Sequence, residues 1–416
     1  MKSQIKNVMD VASWRLCVGC GACAGGACPK DRITLVDIPK YGIRPRPDEQ
    51  GCDECGKCVQ VCPGYATIHP PGFVVGGGPD AGFREDFGPV LEIWEGYAGD
   101  GEIRYHGSSG GITSALALYC MEKEGMPGTL HTGADPDIPW KNRTVFSTTR
   151  NDLLFRTGSR YSPASPCDGL RRIESSTGPC VFIGKPCDVA GTRMSQAVRP
   201  ELDRNIGLNI AFFCAGTPST SGLLALLNHH NVEPGSVEEI RFRGKGWPGN
   251  FTVKTHDGGC RTTEMSYMES WGFLQRYRPY RCHLCPDGTG EFADLSCGDP
   301  WYREITEDEP GHSLVVVRTE RGRRILRSAE EAGYVHLKRL DPGKLVDSQI
   351  NLLGKRKAIF GRLLAMRLFG LPIPKLVGFS LFENWRKSPL KEQLRSTIGT
   401  ARRIIIRRYY RKLNFS

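Results

Sequence analysis

The basic C-terminal stretch of the sequence has no apolar run long enough to cross a bilayer. Its uncharged segments reach seven residues, against the roughly 20 that a spanning helix needs. The opening, MKSQIKNVMDVASWRLC, contains no continuous apolar core, so a signal peptide is not expected and the cytoplasm is the expected compartment. With 39% hydrophobic and 24% charged residues, the chain reads as neither disordered nor integral to a membrane, and 416 residues suffice for two or three compact units. Acidic residues are scarce at one end. From Asn351 to Ser416 there are 16 Lys and Arg against Glu383 and Glu392, a net of +14 in a chain whose total is +11. The first 350 residues are therefore close to neutral, which gives no reason to expect a specific nucleic-acid ligand.

Cysteine is what the sequence has in abundance. Seventeen Cys in a chain without a secretion signal argue for metal or redox chemistry rather than a disulfide scaffold. Cys52, Cys55, Cys58 and Cys62, followed by Pro63, have the C-x2-C-x2-C-x3-C-P spacing of bacterial ferredoxins. Cys17, Cys20, Cys23 and Cys28, followed by Pro29, repeat it with one extra residue in the AGGA segment, where glycine lets a loop absorb the insertion. In such a pair of runs, three thiolates spaced two apart wrap one face of a cubane and the fourth reaches the neighbouring cluster. The crossed pattern assigns Cys17, Cys20, Cys23 and Cys62 to one 4Fe-4S cluster, and Cys52, Cys55, Cys58 and Cys28 to another. Zinc knuckles are the alternative, but zinc sites usually separate two short pairs by a longer loop.

The organisation follows. Residues 1–72 form a ferredoxin-like unit, the Gly- and Pro-rich 73–89 reads as a linker, 90–345 is an α/β body, and 346–416 is a basic helical tail. In the body, LEIWEGYAG at 91–99, VFIG at 181–184 and GLNIAFF at 207–213 predict strands, with more strands near EEIRFRG and NFTVKTHDGG. GGITSALALYCMEKE at 110–124 predicts a helix. Cys187 follows one strand in GKPCD and Cys214 ends another. In a parallel sheet both would lie at the carboxyl edge, where cofactors bind. The C-x2-C pair Cys282 and Cys285 would complete a four-thiolate set, although on spacing alone that pair reads equally as zinc-binding, redox-active or buried. HGSSGGIT at 106–113 opens a helix and reads either as a phosphate cradle or as a helix cap. The TGSRY segment at 157–161 sets a guanidinium beside an aromatic ring, a pair suited to an anion or a flat ring system. Cys120, Cys167, Cys180, Cys260 and Cys297 default to buried packing, with Cys297 nearest the third thiol set in sequence.

HGSSGGITSAL, TGSRYSPASP, FIGKPCDVAG, AFFCAG, RGKGW and CHLCPDGTGEFADLSCGD, in that order, resemble the coenzyme F420 hydrogenase/dehydrogenase beta subunit family over about 90–305. The resemblance implies a 4Fe-4S cluster on Cys187, Cys214, Cys282 and Cys285. It also implies FAD, for which Ser109, Gly110, Gly111, Thr113, Ser159, Arg160, Tyr161 and Lys185 become the pocket residues. The expected fold class is therefore α+β and α/β: a small ferredoxin-like two-cluster domain, an α/β flavin-binding body and a basic helical tail. The expected function is a flavin-dependent oxidoreductase that links a deazaflavin or other small-molecule substrate to ferredoxin or a partner subunit. A non-catalytic electron-transfer subunit is the alternative. No catalytic residue is assigned, His106 and Lys185 being the groups to test as proton donors. The tail is expected either to pack on the body or to dock the protein on an anionic membrane or on nucleic acid.

Overall fold

Short apolar runs in the body become the strands of one sheet, and their continuity shows which of them are covered on both faces. In the N-terminal unit, β1 (Ile33–Ile38) and β2 (Gly42–Pro47) form an antiparallel hairpin, followed by β3 (Ala66–Ile68). The body supplies β4 (Glu92–Ala98), β5 (Thr129–Ala134), β6 (Asn142–Ser147), β7 (Cys180–Gly184) and β8 (Ile206–Phe212). It continues with β9 (Val237–Arg241), β10 (Asn250–Thr255), β11 (Arg261–Ser266), β12 (Leu295–Gly298), β13 (Ser313–Val317) and β14 (Val335–Arg339), and the tail adds β15 (Lys375–Val377). The computed structural model describes residues 5–48, 52, 54–69, 81–256, 261–306 and 309–415. Cys260, the 73–80 part of the expected linker and the end of NFTVKTHDGG lie outside the described residues. The remaining part of the expected linker contains a helix, Ala81–Phe87, and Phe87 is buried.

The main sheet has eight strands in the order β14-β4-β13-β12-β8-β7-β5-β6. Its centre is parallel: β8 pairs with both β7 and β12, and β7 with β5. All five residues of β7 are buried, which explains why its sequence is a continuous apolar run rather than an alternating one. Both margins are antiparallel. Two antiparallel steps restore direction, so β4 runs with the parallel strands and Ala98 lies at the same edge as Gly184, Phe212 and Gly298. Helices α1 (Ile112–Glu122) and α2 (Pro186–Gln196) follow β4 and β7. A core of Leu116, Val181, Leu208, Val315 and Ile325 lies between α1, the sheet and the helix Glu320–Glu331. Strands β9 to β11 make a separate antiparallel sheet whose apolar face holds Phe242, Phe251 and Leu274.

The tail folds back on the N-terminal unit. β15 pairs in parallel with β3, the Leu413 N–H donates to the Ser13 carbonyl at 2.9 Å, and Lys412 pairs with Asp10 at 2.8 Å. Two of its helices, α3 (Ile359–Leu368) and α4 (Leu390–Ile406), contribute Met366 and Ile404 to the apolar cluster that contains Val11 and Leu16. A unit of roughly 70 residues has little core of its own, and the tail supplies part of what is missing.

Unit, body and tail meet at Glu291. This fully buried carboxylate bonds the His69 Nε2 at 2.9 Å and pairs with Arg356 of the tail helix Ile350–Lys357. The His69 ring in turn stacks on Phe292, with centroids 4.4 Å apart. Burial opposes the Glu291 charge, but Arg356, His69 and Arg318 outweigh it and bring the carboxyl down to about 2. A depressed carboxyl adds stability that is complete above its ordinary value of 4.5 and is lost as the pH falls toward 2. Glu291→Ala leaves the Arg356 guanidinium buried without its partner and is expected to cost about 3–5 kcal/mol. Urea unfolding at neutral pH checks this; a loss under about 1 kcal/mol would show that the junction is not a structural joint.

Candidate functional site

The first two cysteine runs line two separate recesses. Cys17, Cys20, Cys23 and Cys62 share a recess of about 350 Å³, some of it open to solvent, walled by Val8, Val11 and Val18. Cys28, Cys52, Cys55 and Cys58 share another of about 480 Å³. The first set is buried, whereas in the second Cys55 is exposed and the other three are partly covered. Backbone donors point at the sulfurs: the Gly19 N–H lies 3.4 Å from Cys17 Sγ and the Arg32 N–H 3.4 Å from Cys28 Sγ. Burial, then the neighbouring charges of Cys20, Cys62 and Cys17, pushes the Cys23 thiol far up, and Cys62 rises for the same reasons. A set of thiols that resists ionisation through burial and mutual repulsion fits a cationic iron–sulfur core, which relieves both. Among the described residues no three Cys, His, Asp or Glu side chains converge closely enough for one metal ion. The thiols ring a space instead, as a cluster of several atoms requires.

The third set assembles at the carboxyl edge of the parallel strands. Cys187 is the second residue of α2, which starts directly after β7, and Cys214 follows β8. Cys282 and Cys285 flank the end of the short helix Tyr280–His283. Burial raises Cys214 to about 11, with Lys355 opposing and Cys282 and Cys285 adding to the shift. Cys187 is pushed well up by burial and Asp188, and also senses Cys214 and Cys285. Each of the four thiols thus lies within electrostatic reach of at least one other. The buried Lys185 ammonium lies beside them, held by Asp188 at 2.7 Å and the Ala164 carbonyl at 3.2 Å.

The first and third sets share a wall. From Cys187, α2 runs on to Gly191, where a Cβ would stand 3.3 Å from Cys20 Sγ. The Cys167 N–H donates to the Cys20 carbonyl at 3.0 Å, and its thiol, in the same apolar cluster as Cys20, donates to the Asp188 carbonyl at 3.2 Å. Arg281, next to Cys282, donates to the Pro63 carbonyl at 3.2 Å. A Cβ at Gly25 would come within 1.9 Å of the Cys167 carbonyl oxygen, so AGGA serves close docking on the body as well as the insertion.

The glycine-rich loop sits at the same sheet edge. Gly110 donates its N–H to Ser313 Oγ at 2.8 Å, and Ser109 Oγ lies 2.8 Å from the same hydroxyl. Thr113, in the first turn of α1, hydrogen-bonds Cys297, whose thiol burial raises to about 12. The Ser159 N–H donates to Ser108 Oγ at 2.6 Å, and the Lys245 N–H to the Tyr105 carbonyl at 2.7 Å. The segments 106–113, 157–161 and 243–249 thus converge. Gly111 begins α1 in the left-handed region and, with Ser109, Gly110, Thr113 and Ser159, makes a helix start lined by small residues of the kind that suits a phosphate, the Gly110 and Ser159 N–H groups being already bonded within the loops.

Arg160 and Tyr161 stand behind this cradle. Arg160 is engaged by Asn142 and by the Pro139 carbonyl at 2.7 Å, and the Tyr161 ring packs 5.2 Å from that of Trp271. Sequence reasoning missed the wall opposite. Arg243 forms a two-pronged pair with Asp299 at 2.8 and 2.7 Å, and Trp247 Nε1 donates to the same carboxylate at 2.9 Å. Trp301 stacks on Tyr267 at 5.6 Å and lies 5.4 Å from Trp247. The signals were RGKGW and CGDPW, two short runs in which a cation and an acid each precede a tryptophan.

Comparison with known proteins agrees with this architecture. Residues 93–170 match the family model for the N-terminal part of the coenzyme F420 hydrogenase/dehydrogenase beta subunit, and 179–343 match the model for its C-terminal part. The coenzyme F420 hydrogenase subunit beta of Methanosarcina barkeri is 26% identical over 62% of this chain and 85% of its own length. The F420-dependent formate dehydrogenase 1 subunit beta of Methanococcus maripaludis is 28% identical over 60% of this chain and 62% of its own. The coenzyme F420-dependent sulfite reductase of Methanocaldococcus jannaschii is 24% identical over 80% of this chain, which spans 49% of that relative. A structure of the F420-reducing NiFe hydrogenase complex from Methanosarcina barkeri shares the fold, with a TM-score of 0.53 at 24% identity over 70% of this chain and 96% of that one.

The loop geometry is testable without any ligand. A Cβ at Gly110 would lie 2.6 Å from the Gly96 carbonyl oxygen and 2.8 Å from the Ser313 nitrogen. Gly110→Ala is expected to lower stability by about 1–3 kcal/mol, and Ser109→Ala by no more than about 1 kcal/mol. Thermal unfolding of the two variants checks the order; equal losses would mean that the loop is not packed as described.

Proposed function

The chain belongs to the coenzyme F420 hydrogenase/dehydrogenase beta subunit family, and from that premise we propose that it is an iron–sulfur flavoprotein oxidoreductase with three 4Fe-4S clusters and one FAD. The observation that carries the reading is the succession of thiol sets, in which the third, at the sheet edge, shares α2 with the buried first, while the second opens to solvent. Cys187, Cys214, Cys282 and Cys285 would hold one cluster, Cys17, Cys20, Cys23 and Cys62 the next, and Cys28, Cys52, Cys55 and Cys58 the last. Ser109, Gly110, Gly111, Thr113 and Ser159 would hold the FAD phosphates, with Arg160 and Tyr161 fixing the loop behind them. Bound FAD exchanges a two-electron hydride for single electrons, which cubane clusters carry one at a time.

The remaining roles belong to the chain's own side chains. Trp247 and Trp301 form an apolar wall that excludes water, and the Arg243–Asp299 pair fixes both the loop and the indole of Trp247. Lys185 serves as the buried counter-charge of the third set. Burial opposes its ammonium, but Asp188 and Cys187 outweigh that and hold it charged, which makes it a poor proton donor. His106 is pushed down by burial and by Arg241 and Lys245, so it stands neutral at pH 7, available to accept a proton or a hydrogen bond at the pocket. The relatives' names favour coenzyme F420, or a related deazaflavin, as the substrate. Ferredoxin or a partner subunit would exchange electrons where Cys55 is exposed. Because several relatives are named as subunits of larger enzymes, the second reading is an electron-transfer subunit whose partner converts the substrate.

Iron, sulfide and flavin content of anaerobically purified protein tests the proposal. About 12 iron and one FAD per chain are expected, falling by about four iron in Cys282→Ala; about eight iron without flavin would overturn it. A finer test is Cys167→Ala, which removes the thiol packed beside Cys20 while keeping the backbone hydrogen bond to it. One cluster should shift by roughly 20–60 mV with iron content unchanged, and an unmoved set of potentials would remove Cys167 from the account.

A further inference from the structure

The C-terminal helix faces the wrong way for a helix that only completes a core. α4 covers the chain with its small and polar side: Ser396 and Thr400 are buried, Ser396 Oγ accepts from Trp385 Nε1 at 3.1 Å, and Ile404 carries an aliphatic contact into the apolar cluster. Its apolar row points outward. Leu390, Leu394, Ile398 and Ile405 recur at the spacing of one helix face, and Leu390 and Ile398 are 69% and 61% exposed. Ile406 is also exposed. Beside this row runs a second one of Lys391, Arg395 and Arg402, all exposed, of which Arg395 pairs with Glu392 at 3.6 Å. The helix ends in Arg407 and Arg408, and the stretch that contains it carries 16 basic residues against two acids.

An outward apolar row beside a basic one, on a strongly cationic surface, fits an anionic and deformable partner. We propose that α4 docks the protein on the surface of an anionic lipid bilayer, its leucines and isoleucines entering the headgroup boundary and its lysine and arginines meeting lipid phosphates. No helix among the described residues is long and apolar enough to span the membrane, so the contact is peripheral. Because residues after α4 pack on Asp10 and Ser13, docking brings the two-recess N-terminal unit close to the lipid. The inference rests on exposure and charge alone and is independent of the cofactor reading.

Flotation of the full-length protein with vesicles tests it. Binding is expected to phosphatidylcholine vesicles containing about 30% phosphatidylglycerol, not to pure phosphatidylcholine, and to fall off at about 0.5 M salt. The triple variant Lys391→Glu, Arg395→Glu, Arg402→Glu should bind about tenfold more weakly or less, and so should Leu394→Ser with Ile398→Ser. These positions are exposed, so circular dichroism and iron content should stay unchanged. Absence of binding, or equal binding to neutral and anionic vesicles, overturns the proposal. A dimer in sedimentation velocity that Leu394→Ser with Ile398→Ser returns to monomer, without vesicle binding, overturns it in favour of a second copy of the chain.

Discussion

Keeping groups of thiols together inside a protein is costly, because burial and mutual repulsion both oppose their ionised form, and the rest of this structure is arranged around that constraint. The Cys23, Cys62, Cys187 and Cys214 thiols are all raised, first by burial and then by their neighbours. The chain offsets this with backbone N–H donors at Cys17 and Cys28 and with one buried ammonium, Lys185, beside the third set. Without a cationic centre these raised thiols stay protonated and neutral; a cation beside them is what would favour the thiolate. That is the chemistry the proposed iron–sulfur centres would supply to these donor sets.

Adjacency follows from the same arrangement. One helix, α2, begins at a strand end with Cys187 and reaches the Cys20 sulfur at Gly191, so the body and the N-terminal unit share a wall that no linker needs to align. Arg281 ties the Cys282 loop to Pro63, and Glu291 ties both to the tail through His69 and Arg356. These contacts give the N-terminal unit a fixed seat despite its small core. Exposure increases from the first set to Cys55 of the second, and the four Cys of the third set are themselves partly covered, so the buried set lies between two more open ones.

Much of this was legible in the sequence, and the parts that were not have physical reasons. Spacing singled out the two N-terminal runs, and the structure gathers their Cys around two recesses in the crossed sets that spacing suggested. The strands at 91–99, 181–184 and 207–213 were legible because continuous apolar runs are what two-sided burial demands. The antiparallel margins of the sheet were not, since pairing direction depends on crossovers rather than on composition. Arg243, Asp299, Trp247 and Trp301 were missed because the ion pair and the contact between the two indoles each join residues more than 50 positions apart. The tail was read as a helical extension of the body, whereas β15 pairs with β3 of the N-terminal unit, a long-range pairing of three residues that leaves no periodic signal.

The central claim is that three thiolate sets form one series in which the Cys20 set is the middle member. Electron paramagnetic resonance of the fully reduced protein tests it most directly, because adjacent paramagnetic clusters broaden and split one another's signals. The account predicts a coupled spectrum that simplifies to two non-interacting signals when the middle set is removed by Cys20→Ala with Cys62→Ala, the other two sets keeping their iron. Three uncoupled signals in the intact protein, or a coupling that survives loss of the middle set, would contradict it.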